Sequence, residues 1–314
     1  MNVDTALYVT NVAVNTMIIA MDIAIMFVAI KTGEIGRQLV LWTIFLCMGM
    51  DVIAYLNTVI HDVPSFIMDT DIFKTKEPAY VSVLIILCQW FSQLFALMVL
   101  SIIHFIAVFS PAKFRSILPK HMRIINVFIV IIAVLFAAPM FTPYCGFAYL
   151  TESHVWFLDA SKPYSYVWRI CNLVLQAVWV VVVAFVDAII IWKIRTLRAV
   201  GTKRNFAVPY PGATIVMETR GNREKRVNRE KRLALNFVFL SACFLFQTII
   251  YNLPFRHLFW YKFVIKFAAN LNLSKWAIYT LENAKIRHGL LGFCGRRQIE
   301  STTTSSVVAI APAQ

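Results

Sequence analysis

The sequence predicts an all-α membrane protein in which seven helices cross the bilayer and a short amphipathic eighth helix follows. Of its 314 residues, 60% are hydrophobic and 15% are charged, whereas soluble domains have about 45–50% apolar and about 25% charged residues. This composition argues against a soluble enzyme. The net charge of +14 would favour nucleic acid in a soluble protein. Here its position along the chain is more informative, and we expect no nucleic-acid partner.

Seven long apolar runs are the second observation. A bilayer core about 30 Å thick needs about 20 mostly apolar residues of helix, because lipid offers the backbone no hydrogen-bond partners. Such runs cover residues 7–30, 38–60, 80–108, 124–141, 167–192, 233–253 and 263–281. The last run is marginal by hydropathy alone, since it contains two lysines and two asparagines. The first run starts near Met1 and lacks a cleavage signal, so we expect a retained signal anchor.

The distribution of Lys and Arg predicts the orientation, because short cytoplasmic loops carry an excess of both. With the amino terminus outside, the cytoplasmic segments hold 22 of the 30 Lys and Arg residues. Twelve of these lie in 193–232, which includes a tandem Asn-Arg-Glu-Lys-Arg repeat at 222–226 and 228–232. We therefore predict a multi-pass plasma-membrane protein with its carboxyl terminus in the cytoplasm. The helical domain would cover 1–297, with a disordered tail over 298–314.

Two motifs at helix ends connect the chain to a known family. At the end of the third run, Ser101-Ile-Ile-His104-Phe105-Ile-Ala-Val-Phe-Ser-Pro111 is similar to the rhodopsin-like pattern Asp-Arg-Tyr-x-Ala-Val-x-x-Pro. Ile103 and His104 replace its acid and arginine. At the end of the seventh run, Tyr279-x-x-x-Asn283-x-x-Ile286-Arg287 is similar to the Tyr-x-x-x-Asn-x-x-Phe-Arg that leads into an eighth helix.

These motifs make the chain resemble G-protein-coupled receptors. Among them it most resembles the nematode serpentine receptor class X, a family of chemosensory receptors, in which the outer-loop Cys145-Gly-Phe147-Ala-Tyr149 also fits. The resemblance covers the whole chain. It implies a receptor for a small molecule or peptide that signals through a heterotrimeric G protein, without a cofactor. It places coupling at His104, Phe105, Arg229, Arg232 and Tyr279. Since histidine cannot form the usual acid–arginine lock, we expect ligand-free signalling.

Several features near the inner surface and in the loops have two interpretations. The basic repeat before the sixth run either docks a G protein or attracts anionic membrane lipid. Residues 284–297 mix apolar and basic residues as an interfacial helix does, although glycines weaken it. Cys294 is either a lipidation site or an unmodified thiol. Cys145 lacks its usual partner on the third span, so it either bonds Cys171 or stays free.

Acids inside the apolar runs predict a buried polar cluster, because each costs about 2.5–3.5 kcal/mol at mid-membrane unless it faces a partner. The family register brings together Asp51, Gln93 and Lys275, and we expect Asp22 to complete the cluster. We predict a buried ion pair between Asp51 and Lys275. The alternative is that Lys275 snorkels toward the inner headgroups.

The resemblance places a ligand between the outer parts of the third, fifth, sixth and seventh spans. Trp90, Phe91, Phe255, Phe259 and Tyr261 would line an apolar, aromatic wall there, although packing is the simpler role for such side chains. The alternative function is a multi-span transporter or channel, but we find no paired repeats with broken helices. The six histidines are scattered along the chain, so no zinc site and no enzyme are expected.

Overall fold

The computed structural model describes residues 3–73, 75–151, 154–159, 161–204, 238–252, 259–281 and 283–293, and these are mostly helical. Five described helices are long and apolar enough to cross a membrane, which makes the chain a membrane-embedded helical protein. They are α1 (Val3–Lys31), α3 (Leu39–Asn57) with its continuation to Met68, α5 (Lys76–Phe109), α7 (Pro119–Ala137) and α8 (Ser165–Arg204).

The other two predicted spans meet this criterion less well. Helix α9 (Val238–Asn252) is apolar but short within the described residues. Helix α10 (Phe259–Leu281) is long, yet it is not among the candidate spans, since its three lysines and two asparagines lower its hydropathy. The described residues therefore contain five candidate spans where seven were expected. Residues 233–237 and 253 of the sixth run lie outside them.

The second predicted span is longer than expected. Helix α3 continues through a π-helical turn, Thr58–Asp62, directly into α4 (Val63–Met68), so the three form one continuous helical segment. Pro64 explains the turn, because proline lacks the N–H that an α-helix would donate to residue 60. A π-helical turn absorbs that break and rotates the side chains that follow it. It turns His61 into the interior, where its side chain is fully buried.

Helix α5 is the central helix of the described structure. It packs against α3, α7 and α8, and 61% of its most apolar window is buried, against 33% or less for the other candidate spans. Helix α10 packs on α1 and α3. The core consists of apolar side chains such as Ile44, Phe91, Leu100, Phe244 and Trp276.

Short elements close the two ends of the helices. One end carries α2 (Glu34–Arg37), α6 (Pro111–Ser116) and α11 (Ala284–Phe293). The other end carries a 3-10 turn, Ala138–Phe141, and an antiparallel hairpin of β1 (Phe147–Leu150) and β2 (Val155–Leu158), which the sequence did not predict. In the hairpin, Tyr149 pairs with Trp156 and Ala148 with Phe157. We call these the basic end and the hairpin end.

Candidate functional site

A buried polar cluster lies between α1, α3, α5 and α10. Its four predicted members, Asp22, Asp51, Gln93 and Lys275, are each at most 1% exposed. Gln93 is the centre of the cluster. Its Nε2 donates to Asp51 Oδ1 at 2.5 Å, and its Oε1 accepts from Lys275 Nζ at 2.7 Å. The amide thus presents its donor to the carboxylate and its acceptor to the ammonium.

Asp51 and Lys275, the predicted ion pair, do not make a direct salt bridge. Among the described residues, no carboxylate oxygen of Asp51 lies within 4.0 Å of Lys275 Nζ, because Gln93 lies between them. The alternative, that Lys275 snorkels toward the headgroups, was wrong, since Lys275 is 0% exposed. Its ammonium also donates to the Asn272 backbone oxygen at 2.9 Å and to Asn272 Oδ1, and it lies 4.7 Å from the centroid of the Trp276 ring.

Two further members of the cluster were missed. Gln89, one helical turn before Gln93, donates to Asp51 Oδ1 at 2.6 Å. Asn272 donates to Gln93 Oε1 at 3.0 Å, although the sequence had not placed it in the cluster. Asp22 is buried but neither of its carboxylate oxygens has a hydrogen-bond partner within the described structure, and Asp51 Oδ2 also lacks one. The cluster therefore holds two acids, one cation and three unpaired acceptor atoms.

A cavity of about 270 Å³ opens at the hairpin end, between α1, α9, α10 and the hairpin. Its lining is mixed. Tyr8, Asn15, Asp62, His154, Gln247 and Lys266 contribute polar groups, and side chains such as Phe157 and Ile265 contribute apolar surface. Ligand pockets commonly combine an apolar wall with a few polar groups. Its volume is just below the usual range of about 300–1,000 Å³, so it suits a small molecule.

The hairpin is held over this cavity by a network around His61. The ring nitrogens lie 2.8 Å from Asp62 Oδ1 and 2.9 Å from Asp71 Oδ1, and Trp156 Nε1 donates to Asp62 Oδ1 at 3.0 Å. Neutral imidazole has one N–H, so both carboxylates can accept together only when the ring carries two protons. The rings of Tyr149 and Trp156 pack on His61 at centroid distances of 4.8 and 4.9 Å. The sequence alone had indicated no role for His61.

The structure does not bring together Trp90, Phe91 and Tyr261, which are the predicted ligand-binding residues whose side chains it describes. Tyr261 lines the cavity. Trp90 packs against Phe244 with ring centroids 4.9 Å apart, and Phe91 is a core side chain, 1% exposed. Phe255 lies outside the described residues, and Phe259 begins α10. Between α5, α8 and α9 lies a cavity of about 10 Å³, which holds about one water molecule.

The residues predicted to couple to a G protein lie at the basic end where they are described. His104 and Phe105 are half-buried near the end of α5, and Phe105 stacks on Phe109 with ring centroids 4.3 Å apart. Tyr279 packs against the core near the end of α10. Arg229 and Arg232 lie outside the described residues, as do the candidate lipidation site Cys294 and the tail. Coupling stays a prediction.

Glu34 is an unpredicted polar centre at the basic end. Its carboxylate accepts from Lys285 Nζ at 3.0 Å and Asn283 Nδ2 at 3.2 Å, and from Arg37 Nη1 at 3.1 Å. The hydrogen bond from Lys285 is the main reason why the pKa of Glu34 is below its usual value. Asn283 and Lys285 lie at the start of α11, so Glu34 ties this helix to the α1–α3 connection.

Cys145 and Cys171 are both free thiols, Cys145 buried and Cys171 exposed. Of the two alternatives for Cys145, the structure shows the free thiol. Lys162 takes part in ordering this segment, since its Nζ donates to the Cys145 backbone oxygen at 2.9 Å.

No protein-family model matches the chain, and no curated protein matches it. The family resemblance therefore rests on the helix-end and loop motifs.

Proposed function

We propose that the chain is a G-protein-coupled chemoreceptor that binds a small extracellular ligand in the cavity at the hairpin end. The cavity is the observation that carries the proposal. It lies at the end of the helices opposite the basic end, and it combines polar and aromatic lining under a hairpin held by His61. In the proposed topology it faces the exterior, while His104, Phe105 and Tyr279 face the cytoplasm.

The buried cluster supports a signalling role. Gln93 of α5 hydrogen-bonds to both α3 and α10, so a small shift of α10 against α5 changes several hydrogen bonds at once. Helix α10 also lines the cavity through Tyr261 and Lys266. A ligand that moves α10 would therefore act on the cluster directly, which is the kind of two-state element that transmission needs.

The test is a small-molecule screen in cells that report dissociation of a heterotrimeric G protein. We expect ligand-free signal above that of untransfected cells, and further signal from compounds that enter the cavity. Replacement of the cavity residue Gln247 by a bulky group, Gln247→Trp, should abolish the evoked signal but leave the basal signal. Movement of ions or solutes by the purified chain in vesicles, without a G protein, would favour the transporter or channel instead.

A further inference from the structure

The cavity at the hairpin end contains a lysine whose ammonium is not in contact with a carboxylate of the described residues. Lys266 lines it, and its ammonium lies over the Tyr8 ring, 5.1 Å from the ring centroid. Among the described residues, Lys266 Nζ forms no hydrogen bond and no carboxylate lies within 4.0 Å. Its neighbour one turn earlier, Lys262, differs in this respect, because it pairs with Asp4 at 3.0 Å.

The other charged groups around the cavity do not contact Lys266. Asp62 lines the cavity too, but it forms no salt bridge with Lys266, and its Oδ1 is already engaged by His61 and Trp156. His154 adds no positive charge at neutral pH, because burial and then the nearby Lys266 ammonium lower its pKa. Among the charged residues of the lining, Lys266 therefore differs from Lys262 and Asp62 in having neither a hydrogen bond nor a salt bridge within the described structure.

From this arrangement we infer that the cavity binds small organic anions, with a carboxylate on Lys266 and an apolar or aromatic body against the hairpin. A half-buried ammonium without a hydrogen-bond acceptor is costly, and a carboxylate that enters the cavity would supply the missing charge-assisted hydrogen bond. Tyr8 adds a second donor, since its buried hydroxyl has no partner within the described structure. The inference names the ligand class of the cavity and so rests on the proposed function.

The test measures binding to the purified full chain in lipid nanodiscs, with no G protein present, by thermal unfolding and titration. The probes are matched sets on one skeleton: hexanoate with hexanamide and hexylamine, and phenylacetate with phenylacetamide and phenethylamine. We expect the acids to raise the unfolding temperature and the amides and amines to have little effect. Equal binding by the amides, preferred binding by the amines, or no stabilisation by either acid would overturn the inference.

Two lysine variants locate the charge. Lys266→Gln should weaken acid binding at least tenfold, and Lys266→Arg should restore most of it. The matched control is Lys262→Gln, which removes a cation already paired with Asp4, and we expect less than a threefold loss. Equal losses for Lys262→Gln and Lys266→Gln would contradict a specific site. Without ligand, Lys266→Gln should unfold no earlier than the parent protein, whereas an earlier transition would indicate that Lys266 has only a structural role.

These outcomes separate the two proposals. Acid binding that depends on Lys266 but never releases a G protein would support the anion site and contradict the receptor. Evoked signalling by neutral compounds or amines, without acid binding, would support the receptor and contradict the anion site.

Discussion

Gln93 lies between a buried carboxylate and a buried ammonium and hydrogen-bonds to both. Its amide donates to Asp51 and accepts from Lys275 and Asn272. A direct contact would neutralise the same charges, but it would leave the remaining donors of Lys275 and acceptors of Asp51 to find partners elsewhere. Burial of an ion pair is stabilising only when those additional groups are satisfied.

Replacement of Gln93 by leucine should therefore be more damaging than the same change at Gln89. Gln93→Leu removes three hydrogen bonds to buried groups, and we expect the free energy of unfolding to fall by about 3–5 kcal/mol. Gln89→Leu removes a single bond to Asp51, worth about 1.5–3 kcal/mol. Unfolding in detergent micelles by SDS titration measures both. Similar losses for the two variants would mean that Gln93 has no special bridging role.

The two buried acids should respond oppositely to neutral replacement. Asp22 has no hydrogen-bond partner for either oxygen within the described residues, so Asp22→Asn breaks no hydrogen bond and should leave stability unchanged or higher. Asp51 accepts from two glutamine amides, so Asp51→Asn should cost about 1.5–3 kcal/mol. The same titration measures both variants. A larger loss for Asp22→Asn than for Asp51→Asn would show that Asp22 has a partner when the protein is in a membrane.

At the scale of single elements, α11 is placed by one glycine and one glutamate. Gly289 lets α11 approach α1 closely, since a Cβ there would lie 2.6 Å from Val28 Cγ1. Glu34 then binds Asn283 and Lys285 at the start of the helix. The glycines that weaken α11 as an isolated helix are thus partly explained by its packing.

Gly289→Ala should displace α11, because the branched Val28 side chain cannot easily move away. We expect a cost of about 1–3 kcal/mol, typical of overpacking. Gly292→Ala is the control, since its Cβ would meet no atom within 4 Å, and it should stabilise the helix by up to about 1 kcal/mol. A spin label at Leu291→Cys, in a background without Cys171 and Cys294, reports the docking. Equal label mobility in both variants would contradict this packing.

The contact of Glu34 with α11 should weaken in acid. Because the folded-state pKa of Glu34 is lowered, mainly by the Lys285 hydrogen bond, its contribution is complete above the unfolded pKa of about 4.3. It is lost as pH falls through the lower folded pKa. Lys285 is largely exposed, so we expect at most about 1 kcal/mol. The Leu291 label should become more mobile below about pH 4, and Glu34→Gln should be mobile at every pH. A pH-independent label in the parent protein would exclude this contact.

At the scale of the whole molecule, the sequence predicted what hydropathy and register determine. The first five apolar runs became α1, α3, α5, α7 and α8, and Asp51, Gln93 and Lys275 meet in one cluster. Hydropathy did not reveal the continuation of α3 to Met68, because Pro64 normally ends a helix and here a π-helical turn accommodates it. It also missed the hairpin, whose two strands have four residues each and no clear alternation.

The position of the cavity was less predictable than the helices. The family register placed aromatic residues on the third span, but Trp90 and Phe91 pack within the bundle. The cavity depends instead on Tyr8, His154 and Lys266, which lie far apart in sequence. Their proximity follows from the packing of α1 on α10 and from the hairpin, and no local pattern in the sequence contains that information.

The membrane topology of the chain tests the whole arrangement. Locating the two termini is not sufficient to establish it. Five spans and seven spans both place the termini on opposite sides of the membrane. The segment between α9 and α10 distinguishes them, because it is extracellular with seven spans and cytoplasmic if only the five candidate helices cross. The positive-inside rule does not distinguish them, because five spans would add Arg256, Lys262, Lys266 and Lys275 to the 22 Lys and Arg residues on the inner side.

His257→Cys in a Cys171→Ser background places one thiol in that segment. With seven spans, an impermeant maleimide should label it on intact cells, and an antibody should reach a carboxyl-terminal tag only after permeabilisation. The control is Lys120→Cys at the start of α7, which should stay unlabelled until the cells are permeabilised, because it belongs to the basic end in either topology. Protection of the thiol introduced at His257 on intact cells, with the control behaving as expected, would show that α9 and α10 do not cross the membrane as a pair. Helices α9 and α10 would then lie on the cytoplasmic side, so they could not line an extracellular ligand cavity. That result would contradict the receptor proposal.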